Sequence, residues 1–141
     1  MKKTLITLAI LLATGAQAFA QTSPASDIKY ANTLIRDTNK KTMKRDEVCM
    51  IAAGVSKAAW IYKEEKQVFP FERMNSNSPF FPLYLWAFQF GTHKAANRPE
   101  AFDGGMTMCM YNADNAYRAW ETGRPLEVAD LKCPDTFSVC R

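Results

Sequence analysis

The chain has 141 residues; the first 20 read as an export signal, and removing them leaves 121, the length of one domain. Hydrophobic residues at 48% against 23% charged describe a globular protein and exclude a disordered one. The formal charge of +4 falls to +2 without Lys2 and Lys3, which argues against a dedicated nucleic-acid binder.

Lys2 and Lys3 form a positive start, and Leu5 to Ala13 is an apolar run broken only by Thr7. Ala18-Phe19-Ala20 places small residues at −3 and −1, so cleavage is expected after Ala20, with Ala16-Gln17-Ala18 as a second site two residues earlier. The run is shorter than the about 20 residues a transmembrane helix needs. No cysteine lies near the cleavage site, which speaks against a lipid anchor, and no later stretch is long enough to span a bilayer. The chain therefore reads as a periplasmic protein, residues 21–141 forming a single exported domain.

An oxidising compartment changes the meaning of the four cysteines. An even count favours two disulfides over a free thiol. Zinc is disfavoured, because there is no CxxC pair and only one histidine. Cys49–Cys109 with Cys133–Cys140 is the most economical pairing, the first closing a separation of 60 residues. Pairing the tail cysteines with the helical ones stays open.

In chain order, Gln21 to Ser26 reads as a loose polar leader. Asp27 to Lys44 follows as a helix capped by Asp27, with Ile28, Ala31, Leu34, Ile35 and Thr38 as its buried stripe. It runs out into Lys40, Lys41, Lys44 and Arg45, a solvated basic face. Asp46 to Lys66 is the clearest helix: at ~100° per residue Val48, Ile51, Ala52, Val55, Ala58, Ala59 and Tyr62 share one stripe. Cys49 and Trp60 fall on a flanking strip, so this helix should be covered on two sides.

Val68 to Pro82 reads as a loop, with three prolines and Asn75-Ser76-Asn77-Ser78. Pro82 can open a third helix, Leu83 to Phe90, with Gly91 as its break. Asn97 to Gly105 reads as another connector. Met106 to Thr122 forms the last helix, burying Met106, Cys109, Met110, Ala113, Ala116, Tyr117 and Trp120 and exposing Asn112, Asp114, Asn115, Arg118 and Glu121. Gly123 and Pro125 stop it. Leu126 to Arg141 has no helical period. The sum is an all-α bundle of about four helices stapled by disulfides.

Chemistry is sparse. His93 is the only histidine, and no GxSxG, HExxH or Cys-His-Asp pattern accompanies it. Asp46-Glu47 and Glu64-Glu65 are adjacent on helices and point apart. Asp103-Gly104-Gly105 lacks the further oxygen ligands of a calcium loop. Neither catalysis nor a metal or other cofactor is expected. What stands out is aromatic density: Phe69, Phe71, Phe80, Phe81, Tyr84, Trp86, Phe88 and Phe90 fall within 22 residues. A helix apolar on nearly every side is either central to the core or presents one side to a partner. The candidate contacts are Phe80, Phe81, Tyr84 and Trp86, with Asn75 and Asn77 in the loop before them as an insertion element.

The segments Asp46-Glu47-Val48-Cys49-Met50-Ile51-Ala52 and Thr107-Met108-Cys109-Met110-Tyr111 resemble the small periplasmic all-helical immunity proteins that block peptidoglycan amidases delivered by type VI secretion. Those proteins carry one cysteine in an early helix and another in a late one. The Cys133/Cys140 pair and the long aromatic loop depart from that pattern. The resemblance implies an inhibitor or immunity factor whose partner is a peptidoglycan-degrading enzyme of the envelope. The alternatives are a periplasmic stress chaperone or envelope structural component, and a small hydrolase using His93.

Overall fold

The computed structural model describes residues 24–42, 44–137 and 140. The signal segment and its cleavage site lie outside the described residues. Four helices are present among them: α1 (Pro24–Arg36), α2 (Arg45–Glu64), α3 (Phe81–His93) and α4 (Arg98–Glu121). Single 3₁₀ turns stand at Asp37–Asn39, Phe71–Arg73 and Val128–Asp130, and no strand occurs among the described residues. The fold is an all-α bundle stapled by two disulfides, and no described helix is long and apolar enough to cross a membrane.

Helix α2 is the axis. Val48, Cys49, Ala52, Val55, Ala58 and Ile61 are all buried, so it is covered on more than one side, and α1, α3 and α4 each pack against it. The pairing with α4 is antiparallel, fixed by Cys49–Cys109 (Cα–Cα 5.3 Å) and by the Arg45–Asp114 ion pair. The second bridge, Cys133–Cys140, closes the tail on itself at a Cα–Cα distance of 5.4 Å. Of the three pairings open to the sequence, the economical one is the one formed.

Helix α1 buries Ala31 and Ile35 as its stripe predicts, but it begins at Pro24 and ends at Arg36. Asp27 is therefore not its cap. It sits in the first turn, 8% exposed, where its carboxylate pairs with Arg98 at 3.1 Å and joins the start of α1 to the start of α4. The chain past Arg36 tightens into a 3₁₀ turn held by the buried Thr38, whose hydroxyl donates to the Ile35 carbonyl at 2.8 Å. In the basic run, Lys40 pairs with Asp37 at 3.2 Å and Arg45 with Asp114, while Lys41 and Lys44 are exposed.

Three glycines read as breaks lie inside helices. Gly91 continues α3, because a Cβ there would fall on the Ser56 carbonyl oxygen of α2. In α4 a Cβ at Gly105 would come 2.9 Å from Ser56 Cβ and 3.0 Å from Ala53 Cα, and one at Gly104 would strike the Phe90 ring. Gly91 and Gly105 let the backbones of α3 and α4 approach α2 at Ser56, and Gly104 makes room for the Phe90 ring. The Asn97–Gly105 stretch is accordingly the first third of α4 rather than a connector. Asn97 caps it by accepting from the Glu100 amide at 2.9 Å, Glu100 reaches back to the Ala96 amide at 2.9 Å, and Pro99 occupies the first turn.

The buried row of α4 also differs from expectation. Cys109, Ala113 and Ala116 are inside as predicted, but Met110 and Trp120 are 42% and 43% exposed, whereas Met108 and Asn112 are buried. Asn112 is turned inward by the tail. Its amide donates to Met108 O and Lys132 O, both at 2.9 Å, and its carbonyl accepts from Lys132 N at 2.7 Å.

Candidate recognition cleft

The loop before α3 is built rather than loose. Its Asn75 amide donates to the buried Thr38 hydroxyl at 3.0 Å, anchoring the loop to the end of α1. The Asn75 side chain accepts from the Asn77 amide at 3.1 Å, forming an Asx turn. Ser78 Oγ accepts from Phe80 N at 3.2 Å. The same Ser78 hydroxyl is hydrogen-bonded to the phenol of Tyr84, one turn into α3. Asn75 thus shapes the loop, and Asn77 stands exposed at its tip.

The aromatic residues separate into three groups. Phe80 and Tyr84 are 2% and 1% exposed and belong to the core, Phe80 lying 5.0 Å from the Tyr117 ring. Their burial in the core leaves neither ring a surface to offer a partner in this fold. Burial pushes the Tyr84 phenol up to about 12, against a smaller opposing effect of the Ser78 hydrogen bond. In the second group Phe69, Phe71 and Phe88 pack on one another, Phe71 edge to face with both others, and Phe69 also meets the Tyr62 ring edge to face. Trp86 forms a third, stacked on Phe90 at 5.4 Å and half-buried in a small cluster with Ala95 and Ala101.

Phe81 is the predicted aromatic that stays at the surface beside the loop. It lines a cleft of about 400 Å³ in which Ser76, Pro79 and Pro82 form one wall and Trp120, Arg124 and Pro125 the other. The second wall exists because α4 stops abruptly. Gly123 takes φ +68°, its amide donates to Trp120 O at 3.1 Å, and the Arg124 amide donates to Ala119 O at 2.9 Å. Arg124 then reaches Asp130 at 3.5 Å, and Asn112 fixes the chain beyond. The cleft combines a half-exposed indole and a phenyl ring with a polar and cationic rim, the composition in which binding energy concentrates at protein interfaces.

Helical period alone places Trp120 on the buried face. A position three residues before a Gly-x-Pro stop is in the last turn, where no further helix turn covers it, and that is the signal that places it at the rim.

His93 stands exposed in the last turn of α3 beside Lys94, and no carboxylate pairs with it among the described residues. No group of three or more His, Cys, Asp or Glu side chains among the described residues is arranged to hold a metal ion. The chain matches no protein-family model, no curated protein and no solved structure.

Proposed function

We propose that this protein is an exported inhibitor or immunity factor that binds and occludes a cell-wall-active enzyme, using the Phe81–Trp120 cleft as its contact surface. The observation that carries this reading is the half-exposed Trp120 indole lining one proline-walled cleft together with Phe81. The Asn75–Ser78 loop adds a rigid projecting edge with Asn77 at its tip. The N-terminal signal pattern supplies the compartment, and the cysteine placement resembles that of periplasmic amidase inhibitors. Among rival readings, a hydrolase would need His93 beside an orienting carboxylate, and the exposed position of His93 supports binding instead.

The test is capture from envelope extract by the oxidised protein, identification of the captured protein, and titration of the purified pair. A peptidoglycan-cleaving enzyme should be bound and its activity blocked. Trp120→Ala should weaken binding by roughly 30-fold or more, corresponding to ~2 kcal/mol, and Phe81→Ala by a comparable factor. Neither should move the urea midpoint in proportion. Capture of no wall-active enzyme, or wild-type affinity in both variants, would overturn the reading.

A further inference from the structure

Beside the Phe81–Trp120 cleft lies a second pocket, of about 420 Å³, that shares Arg124 and Leu126 with it. Arg118 and Thr122, from the end of α4, and Asp130 and Lys132 of the tail also line it. Three cations and one carboxylate leave +2 at this pocket, which equals the net charge of the whole chain without Lys2 and Lys3. Asp130 is already engaged twice: it meets the Arg124 guanidinium at 3.5 Å and accepts from the Glu127 amide at 3.0 Å. Arg118 and Lys132 are exposed, and neither side chain forms an ion pair among the described residues. The backbone beneath them is fixed. The Thr122 hydroxyl donates to the Arg118 carbonyl at 2.8 Å, and Asn112 holds both the amide and the carbonyl of Lys132. The amides of Thr122, Gly123 and Arg124 donate to the carbonyls of Arg118, Trp120 and Ala119. Those bonds damp the negative end of the helix, which would otherwise oppose an anion approaching there.

Resting on the reading of the cleft as a partner's contact surface, we propose that this pocket receives a carboxylate side chain of the bound protein. The partner then presents an acidic residue next to the apolar group that enters the cleft. The positive excess left by three cations round one engaged carboxylate is what a second carboxylate neutralises. Two of the cations are guanidiniums, whose planar fork of donors matches a carboxylate. A protein source is favoured because the pocket shares two of its residues with a proline-walled aromatic cleft, so one partner surface can fill both. Exposed charges at the edge of such a contact act mainly on the rate of encounter and on its salt dependence.

The first arm of the test needs no partner. An acetylated, amidated tetraglutamate peptide, titrated into the oxidised protein at low ionic strength, should shift the amide resonances of Arg118, Arg124 and Lys132 to saturation. R118Q/K132Q should bind it at least tenfold more weakly. K66Q/K94Q removes the same charge from the opposite end of the bundle, where α2 and α3 finish, and should respond as wild type. In the second arm, R118Q/K132Q should slow association of the captured enzyme at least tenfold at low salt and flatten its salt dependence, with dissociation little changed. No peptide shift, shifts spread over both ends of the bundle, or an equal loss in K66Q/K94Q would each overturn the pocket. Retention on phosphatidylglycerol vesicles that R118Q/K132Q abolishes would overturn the protein carboxylate in favour of a lipid headgroup. Equal association rates for wild type and R118Q/K132Q would sink this proposal while leaving the cleft's role intact. Peptide binding at the pocket without capture of a wall-active enzyme would do the reverse, upholding the carboxylate site and ending the reading of the cleft.

Discussion

Tyr84 links the Asn75–Ser78 loop to the core through one hydroxyl. Its phenol is buried, bonded to Ser78, and pushed up from 10.0 to about 12 chiefly by desolvation. A phenol with a raised value in the folded state stays neutral there while the unfolded chain ionises, so its contribution is complete below pH 10 and is lost as pH climbs from 10 to about 12. The loss is worth roughly 2–3 kcal/mol. Urea melts at pH 8 and pH 11.5 should show that decline in the wild type and a much smaller one in Tyr84→Phe, with Tyr117, also raised by burial, supplying the remainder. Equal alkaline losses in both proteins would mean that Tyr84 is not the responsible group. The neighbouring phenylalanines separate burial from recognition in the same way. Phe80→Ala removes a ring packed on Tyr117 and should cost ~3–5 kcal/mol of stability. Phe81→Ala, on the cleft wall, should cost less than Phe80→Ala by the same urea melts, since that ring is only partly buried against the core.

At the scale of elements, the point where α2, α3 and α4 meet is set by small residues, and two glycines there predict opposite outcomes. Gly91→Ala would drive a methyl group into the Ser56 carbonyl, which has no room to yield because it is backbone, and should destabilise by ~2–3 kcal/mol despite alanine's better helix propensity. Gly54→Ala meets only the Leu34 side chain, Cδ2 at 3.4 Å and Cβ at 3.6 Å, an ordinary van der Waals contact, and should stabilise by ~0.5–1 kcal/mol. Thermal or urea unfolding of the two single variants checks both signs. These positions also show why part of the fold was legible and part was not. The stripe of α2 is a property of spacing, and it predicts burial residue by residue from Val48 to Tyr62. A glycine carries two meanings, helix end and close approach, and only the neighbouring backbone decides between them. Gly91, Gly104 and Gly105 therefore read as breaks in the sequence although each lies inside a helix. The Asn97-x-x-Glu100 cap and Pro99 mark the true start of α4, a local signal that a reading of the glycine pair as a break overlooks. Asn112 was misplaced for a different reason: its partner, the backbone of Lys132, is 20 residues away in a tail with no period of its own. The recognition cleft was half legible for the same cause, since the loop and Phe81 announce themselves locally while Trp120 reaches them only through the fold.

Over the whole molecule, the two disulfides constrain different things. Cys49–Cys109 joins α2 to α4 inside the core and spans a sequence separation of 60 residues, so opening it releases about 4 kcal/mol of unfolded-state entropy in the loop-closure model. Cys133–Cys140 spans seven residues, and the tail it closes leans on the bundle through the partly buried Leu126 and Leu131, the Asn112–Lys132 pair, the Tyr111–Phe137 ring contact at 5.3 Å, and Cys140 against Met108. A segment held by such peripheral contacts opens separately from the core it leans on. The C49A/C109A variant should therefore lose about 4 kcal/mol in global urea unfolding, whereas C133A/C140A should lose under ~1 kcal/mol globally while its amides from Leu126 onward lose hydrogen-exchange protection. If the tail instead unfolded together with the bundle, removing its bridge would cost about 2.5 kcal/mol by the same model. A global loss of that size, with exchange rising evenly along all four helices, would show that the tail belongs to the cooperative core. In that case the Arg124 wall of the recognition cleft would be as stable as α2 itself. With the local outcome, that wall is the part of the cleft free to adjust when a partner binds.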